Sequence, residues 1–278
     1  MQVVNTILEL RKMLTNSASK RIGFVPTMGA LHSGHLSLVK QCNQENDITV
    51  VSVFVNPTQF NDVADLKRYP RTLEKDLALL SEVGCDIVFS PSVEEMYPTK
   101  DTRLFDFGLL ETVMEGKQRP GHFNGVAQIV SKLFDAVQPH VAYFGEKDFQ
   151  QLAIIRVMVR QHDYSIDIVG CPIVREPSGL AMSSRNMLLS EEKRKKASFI
   201  YAILEESCTF VATKQCDEVR QWVLHQFQAT DFTVEYFEIV DGNTLQTVTS
   251  WSDSNYIVGC IAVMCGKIRL IDNIPFKR

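Results

Sequence analysis

The chain has 278 residues, 45% of them hydrophobic and 22% charged, with a formal net charge of −4. That balance suits a globular protein of one large or two smaller domains with ample core, and the mild acidity supplies no broad basic field to recruit nucleic acid. No apolar run reaches membrane-spanning length, and the opening residues, with Glu9, Arg11 and Lys12 in a short amphipathic pattern, do not read as a signal peptide. The seven cysteines (42, 85, 171, 208, 216, 260 and 265) are scattered and lack Cys-x-x-Cys spacing. They read as reduced packing residues of a cytoplasmic protein, not as a disulfide frame or zinc site.

Val4, Ile7, Leu8 and Leu14 suit one face of a first helix. Arg21 to Pro26 is a strand, and a helix follows with Leu36, Leu38, Val39 and Cys42 on one face. Ile48 to Val55 is a continuous β-branched run, as expected of a parallel strand covered on both faces. It ends in Asn56-Pro57-Thr58-Gln59-Phe60, a turn at the strand's carboxyl end, where open α/β sheets bind ligands. Asn56 and Gln59 are therefore candidates for a site there. Asn61 to Arg71 reads as polar loop. Thr72 is placed to cap a helix carrying Leu73, Leu77 and Leu80, closed by Gly84. Asp86 to Phe89 is a strand; Pro98 to Arg119 is charged loop with room for a helical turn or edge strand. Residues 120–125 form a turn before a helix over Val126 to Val137, with His122 surface or structural. Val141 to Phe144 is a strand, followed by Gly145-Glu146-Lys147-Asp148 and a helix over Phe149 to Arg160. Ile166 to Val174 is a strand region broken by Pro172, and 175–186 is a polar, glycine-containing loop. A long helix to about Thr213, a helix over Asp217 to Gln228, and strands over Val234 to Val240, Ser254 to Met264 and Lys267 to Ile271 follow, with Cys265-Gly266 as a tight hairpin turn.

The alternation up to about residue 175 predicts an α/β fold, a Rossmann-like doubly wound parallel sheet domain over 1–176, followed by a smaller C-terminal α+β domain over 177–278. Three strand-end loops carry groups suited to a polyphosphate. In the first, Pro26 ends the strand, Gly29 and Gly34 permit tight turns, and the helix start presents N–H groups and partial positive charge. His32 and His35 can face one anion there, and an imidazolium stabilises charge building on a phosphoryl group; the plainer reading is two surface histidines on a turn. In the second, Lys147 is a mobile point charge for phosphate, or part of a solvated turn. In the third, Ser183, Ser184 and Arg185 can grip a polyphosphate, or the loop is a hinge. The pattern is neither Gly-x-Gly-x-x-Gly nor a P-loop. It resembles the His-x-Gly-His nucleotidyltransferase superfamily.

A closer resemblance rests on ordered motifs: residues 26–35, Phe54-Val55-Asn56-Pro57-Thr58-Gln59-Phe60, Tyr69-Pro70-Arg71-Thr72, Gly121-His122-Phe123, Phe144-Gly145-Glu146-Lys147-Asp148, Met182-Ser183-Ser184-Arg185-Asn186 and Arg269-Leu270-Ile271-Asp272-Asn273. Together they resemble the pantothenate synthetase (pantoate–β-alanine ligase) family over nearly the whole chain. The resemblance implies ATP-dependent condensation of (R)-pantoate with β-alanine through pantoyl adenylate, giving pantothenate, AMP and pyrophosphate. It also implies Mg2+ with the ATP, no nucleic-acid or membrane partner, and a homodimer. Carried over by position, Met28, Gly29, Ala30, Leu31, His32, Ser33, Gly34 and His35 form part of the ATP site, with His35 the general acid and His32 steadying phosphate. Gly145, Glu146, Lys147 and Asp148 bind ATP, with Lys147 on the phosphates. Val174 touches adenine or ribose through its backbone, and Met182, Ser183, Ser184 and Arg185 close over the triphosphate. Gln59 and Gln151 hold pantoate, and Gln59 later helps place β-alanine. Asp76 matches an acidic position that faces the metal through water, or is a solvated helix residue. Ser33 and Asn124 depart from the family pattern, where an acidic residue and an arginine are common. The alternatives are another His-x-Gly-His adenylyltransferase and a protein that binds ATP without turning it over.

Overall fold

The apolar runs become six parallel strands: β1 (Gln2–Val4), β2 (Ile22–Thr27), β3 (Ile48–Val53), β4 (Ile87–Phe89), β5 (Val141–Gly145) and β6 (Asp167–Cys171), ordered β1-β4-β3-β2-β5-β6. The computed structural model describes residues 1–17, 19–60 and 63–278; Asn61 and Asp62, where the expected polar loop begins, lie outside the described residues. The helices are α1 (Ile7–Thr15), α2 (Ser33–Glu45), α3 (Val63–Arg68), α4 (Leu73–Glu82), α5 (Val93–Met96), α6 (Met114–Gln118), α7 (His122–Val137), α8 (Phe149–Gln161), α9 (Glu191–Ala197), α10 (Phe199–Cys208) and α11 (Cys216–Phe227). No helix among the described residues is long and apolar enough to cross a membrane. The chain forms two units, one of residues 1–107, 119–146 and 154–172 and the other of 108–118, 147–153 and 173–278.

In the first unit, side chains alternate across the sheet and meet a cover on each face. Phe24 of β2 meets Phe134 of α7 edge-on, with ring centroids 6.4 Å apart. Its neighbour Val25 joins Leu38 and Val39 of α2 and Leu80 of α4 in a buried cluster. Gly23 lets α2 lie close: a Cβ there would come within 2.3 Å of Cys42 Sγ. The strand order reverses between β2 and β5, so the ligand crevice of such a sheet falls at the carboxyl ends of those two strands.

The second unit carries an antiparallel meander, β7 (Phe232–Asp241), β8 (Ile257–Cys265) and β9 (Ile268–Lys277), in the order β7-β8-β9. One buried cluster joins Ile203 and Leu204 of α10, Val219 and Val223 of α11, and Phe237 and Ile261 of the sheet. A second joins Met114 of α6 and Phe149 to Val240, Leu245, Val258 and Cys260. Arg269 of β9 forks onto Glu115 with bonds of 2.7 and 2.6 Å and reaches Glu235 at 2.6 Å. Tyr236 Oη also donates to Glu115, at 2.6 Å.

The doubly wound parallel sheet and the smaller α+β part are as expected; several local expectations need correction. Val4 belongs to edge strand β1, not to the first helix, and Leu8 is 79% exposed because Leu10 and Leu14 form the buried face of α1. The expected loop from 61 to 71 contains α3. Thr72 is the N-cap of α4 as expected, but its hydroxyl makes no capping bond to the helix N–H groups and donates to Asp76 at 3.2 Å instead. Residues 98–119 form a 3-10 turn (108–111) and α6, with no strand. Helix α7 starts at His122, not Val126, because Gly121 turns in the left-handed region with φ 79°. The long helix after Ser190 divides into α9 and α10 at Ser198. The hairpin residues between paired Cys265 and Ile268 are Gly266 and Lys267, with Gly266 at φ 63°. Six cysteines are buried and Cys208 is half-buried; burial pushes the Cys85 thiol up to about 12, so these groups stay protonated near neutrality.

Candidate active site

In the first unit, residues 28–35 leave the carboxyl end of β2 and enter α2. Gly29 N–H bonds Thr27 Oγ1 at 3.2 Å, and Gly29 and Ala30 take φ of 76° and 50°. The N–H groups of Ala30 and Leu31, turned inward by that conformation, donate to the two oxygens of Asp76 at 2.9 and 2.8 Å. Asp76 is 1% exposed and also accepts from Thr72. Three donors on a buried carboxylate are the surroundings of a loop anchor. A carboxylate so buried is not a solvated helix residue.

His32 is the N-cap of α2. Its Nδ1 accepts from Gly34 N at 3.2 Å, and His35 Nδ1 accepts from His32 N at 3.4 Å. An acceptor at Nδ1 places the hydrogen of each neutral ring on Nε2. The rings are tilted at 36° to each other with centroids 4.0 Å apart, at the helix end that carries partial positive charge. The structure thus pairs the two histidines on one helix start. Gly145 ends β5, the strand beside β2, and Glu146 follows it.

Gln59 sits in a 3-10 turn after β3 and is 9% exposed. Its Oε1 accepts from Asn56 Nδ2 at 3.2 Å, which leaves Nε2 to donate; it lies 3.0 Å from Met28 Sδ. Asn56, 1% exposed, also donates to Gly125 O at 3.0 Å and accepts from Tyr97 Oη at 2.8 Å. Three groups that the sequence reading did not assign to the site therefore shape this corner. Tyr97 steadies Asn56. His122, buried at 7% exposure and not at the surface, meets the Gln59 carbonyl through Nδ1 at 2.9 Å. Arg119 reaches that carbonyl at 3.4 Å and His122 Nε2 at 3.2 Å. Only the Gly-His-Phe motif signalled any of this. Asn124, one of the two departures, is structural: its Oδ1 accepts from Phe105 N at 2.9 Å. A cavity of about 280 Å³ in this unit is lined by residues that include Met28, Gly29, Phe54, Arg71, Asp76 and Ser90.

In the second unit, Lys147 is half-buried, with its ammonium 3.8 Å from Asp148, and Gln151 is half-buried on α8. Its neighbour Gln150 is a structural glutamine, bonded to Glu115 N, Leu110 O and Val113 O at 2.9, 2.6 and 2.9 Å. Val174 and Met182 meet through Met182 N–H to Val174 O at 2.9 Å. Ser183 caps a 3-10 turn over 184–188 by accepting from Arg185 N at 3.3 Å; Ser184 is buried and Arg185 half-buried.

A parallel sheet with a His-x-Gly-His helix beginning where the strand order reverses defines an α/β protein of the nucleotidyl-transfer class. The model of the pantoate-beta-alanine ligase family matches residues 2–275, and the chain belongs to that family. The pantothenate synthetase of Bacteroides thetaiotaomicron is 61% identical over 280 residues, covering 100% of this chain and 99% of that protein. That of Porphyromonas gingivalis is 55% identical over 280 residues, covering 100% of each. The crystal structure of pantothenate synthetase from Thermus thermophilus superposes with a TM-score of 0.94 at 44% identity, covering 100% of both chains. The pantoate-beta-alanine ligase of Francisella tularensis, complexed with beta-gamma ATP and beta-alanine, gives 0.83 at 36% identity, covering 99% of this chain and 98% of that one.

Proposed function

We propose that the chain joins pantoate to β-alanine, using ATP as its magnesium complex, in two steps. A carboxylate oxygen of pantoate attacks the α-phosphorus, the bond to the bridging oxygen breaks, and pyrophosphate leaves. The amine of β-alanine then attacks the acyl carbon of the adenylate, loses a proton, and expels AMP. The observation that carries this reading is the family match over residues 2–275.

The roles assigned to side chains are part of the proposal. His35, with its hydrogen on Nε2, donates a hydrogen bond to the leaving pyrophosphate and serves as general acid only after taking a second proton as the imidazolium, and His32 beside it steadies the phosphate. Met28 to Gly34 form part of the ATP site, and Gly145, Glu146 and Asp148 bind ATP. Lys147 and Arg185 neutralise charge on the triphosphate, Ser183 and Ser184 bond its oxygens, and Val174 meets the adenosine through its backbone. Gln59, whose amide is oriented by Asn56 with Nε2 against Met28 Sδ, binds pantoate and later β-alanine; Gln151 binds pantoate. A cytoplasmic homodimer belongs to the same reading, and sedimentation of the purified protein checks the dimer.

The test is pyrophosphate release from ATP, magnesium and D-pantoate, with and without β-alanine. The expected result is AMP and pantothenate only when all three substrates are present, and at most one equivalent of pyrophosphate without β-alanine. His35→Ala should lower the rate on the order of 10²–10³-fold. ATP binding without pyrophosphate release from pantoate would sink the reading.

A further inference from the structure

We infer that Asp272 and Asn273 on β9 are positioning residues that hold the nucleotide-binding segments of the second unit in place. The inference rests on the assignment of Lys147, Val174 and 182–185 to ATP made above.

The Arg-Leu-Ile-Asp-Asn stretch is a motif to which the proposed reaction assigns no residue role. Both side chains are nevertheless buried, at 4% and 5% exposure. Asn273 Nδ2 donates to the main-chain carbonyl of Lys147 at 3.1 Å. Asp272 takes a fork from Arg175, with Oδ2 2.6 Å from Nη1 and Oδ1 3.0 Å from Nη2. Arg175 is the residue after Val174. Its guanidinium also donates to Gly179 O at 3.1 Å and lies 3.7 Å over the Tyr201 ring, so it is held from several sides.

From Arg175 the restraint passes along a short hairpin. Arg175 and Ala181 form an antiparallel bridge, Glu176 N–H bonds Leu180 O at 2.8 Å, and Met182 N–H bonds Val174 O at 2.9 Å. Asn186 closes the far end by donating to Ala181 O at 3.0 Å and Glu176 at 2.8 Å. The hairpin carries Val174 at one end and Met182 to Arg185 at the other. Two adjacent residues of one strand thus fix Lys147 and this hairpin together. Desolvation offsets most of the attraction in a buried ion pair, so what Asp272 and Arg175 contribute most clearly is a defined bidentate geometry.

The experiment uses the full-length protein. Asn273→Ala removes the bond to the Lys147 carbonyl at a residue to which no substrate contact is assigned. Calorimetry with an ATP analogue bridged by methylene between the α- and β-phosphorus gives Kd, and steady-state assays give three KM values. The expected result is a rise of about five- to tenfold in Kd and KM for ATP, with KM for pantoate and β-alanine within about twofold of wild type. Asp272→Asn, which keeps the shape and removes the charge facing Arg175, should move the same constants further; if that chain does not fold, Asn273→Ala decides. An unchanged ATP Kd in Asn273→Ala, while Lys147→Ala weakens ATP binding, overturns the inference and leaves the reaction standing. Unchanged ATP binding in Lys147→Ala overturns the site assignment and the inference with it. Equal losses in all three KM values in Asn273→Ala also overturn it, since general loosening, and not positioning, produces that pattern.

Discussion

Gly29 and Ala30 both occupy the left-handed backbone region, and for alanine that conformation costs roughly 1 kcal/mol. The compensation is Asp76, which takes the N–H groups that this conformation turns inward. Replacing it by asparagine keeps the size but offers an NH₂ group where one of those N–H groups needs an acceptor. Asp76→Asn is therefore expected to lose about 1–3 kcal/mol of stability and to weaken ATP turnover through the displaced loop. Thermal unfolding and the pyrophosphate assay check both. A variant as stable and active as wild type would show that the loop holds its shape without the anchor.

Helix α7 acts as a support for the turn that bears Gln59. A Cβ on Gly125 would lie 2.5 Å from Thr58 O, too near for that turn to stay against the helix. Gly125→Ala should cost about 1–3 kcal/mol and raise KM for pantoate more than for ATP, because the displaced group is Gln59. Equal changes in both constants would count against that coupling. The segment before α7 is pinned by charge. Arg103 bonds Asp101 and lowers its carboxyl pKa to about 2, and Lys132 of α7 stands 3.5 Å from it. A depressed carboxyl stabilises the fold above its ordinary pKa and loses that contribution as pH falls from about 4 towards 2. Denaturant titrations across that range should show a shallower acid loss for Asp101→Asn than for wild type.

At the scale of the whole chain, neither unit is one continuous run of sequence. Residues 108–118 and 147–153 belong with 173–278. They bring Met114 and Phe149 to the cluster of Val240, Leu245, Val258 and Cys260, and Glu115 to Arg269. A fragment starting at residue 173 lacks those apolar partners and leaves Arg269 with Glu235 alone. It should give no cooperative thermal transition by circular dichroism; a sharp transition would show that the meander and its helices suffice.

Much of this was legible in the residues. The β-branched run at 48–55 announced a buried parallel strand, and in β3 both Val50 and Val51, which point to opposite faces, are fully buried. The glycine-and-histidine loop announced a helix start, and His32 caps it. What escaped was short or distant. Strand β1 has three residues, and only its pairing with β4 makes it a strand. Asp76 to Ala30, His122 to Gln59 and Asn273 to Lys147 are hydrogen bonds across long stretches of chain. The sequence by itself determined the layered α/β class, the family and the positions of its motifs, because periodicity and ordered motifs are local properties. Only the tertiary structure decided what holds those motifs in shape, because a buried side chain's partner is set by how the chain packs and leaves no pattern along it.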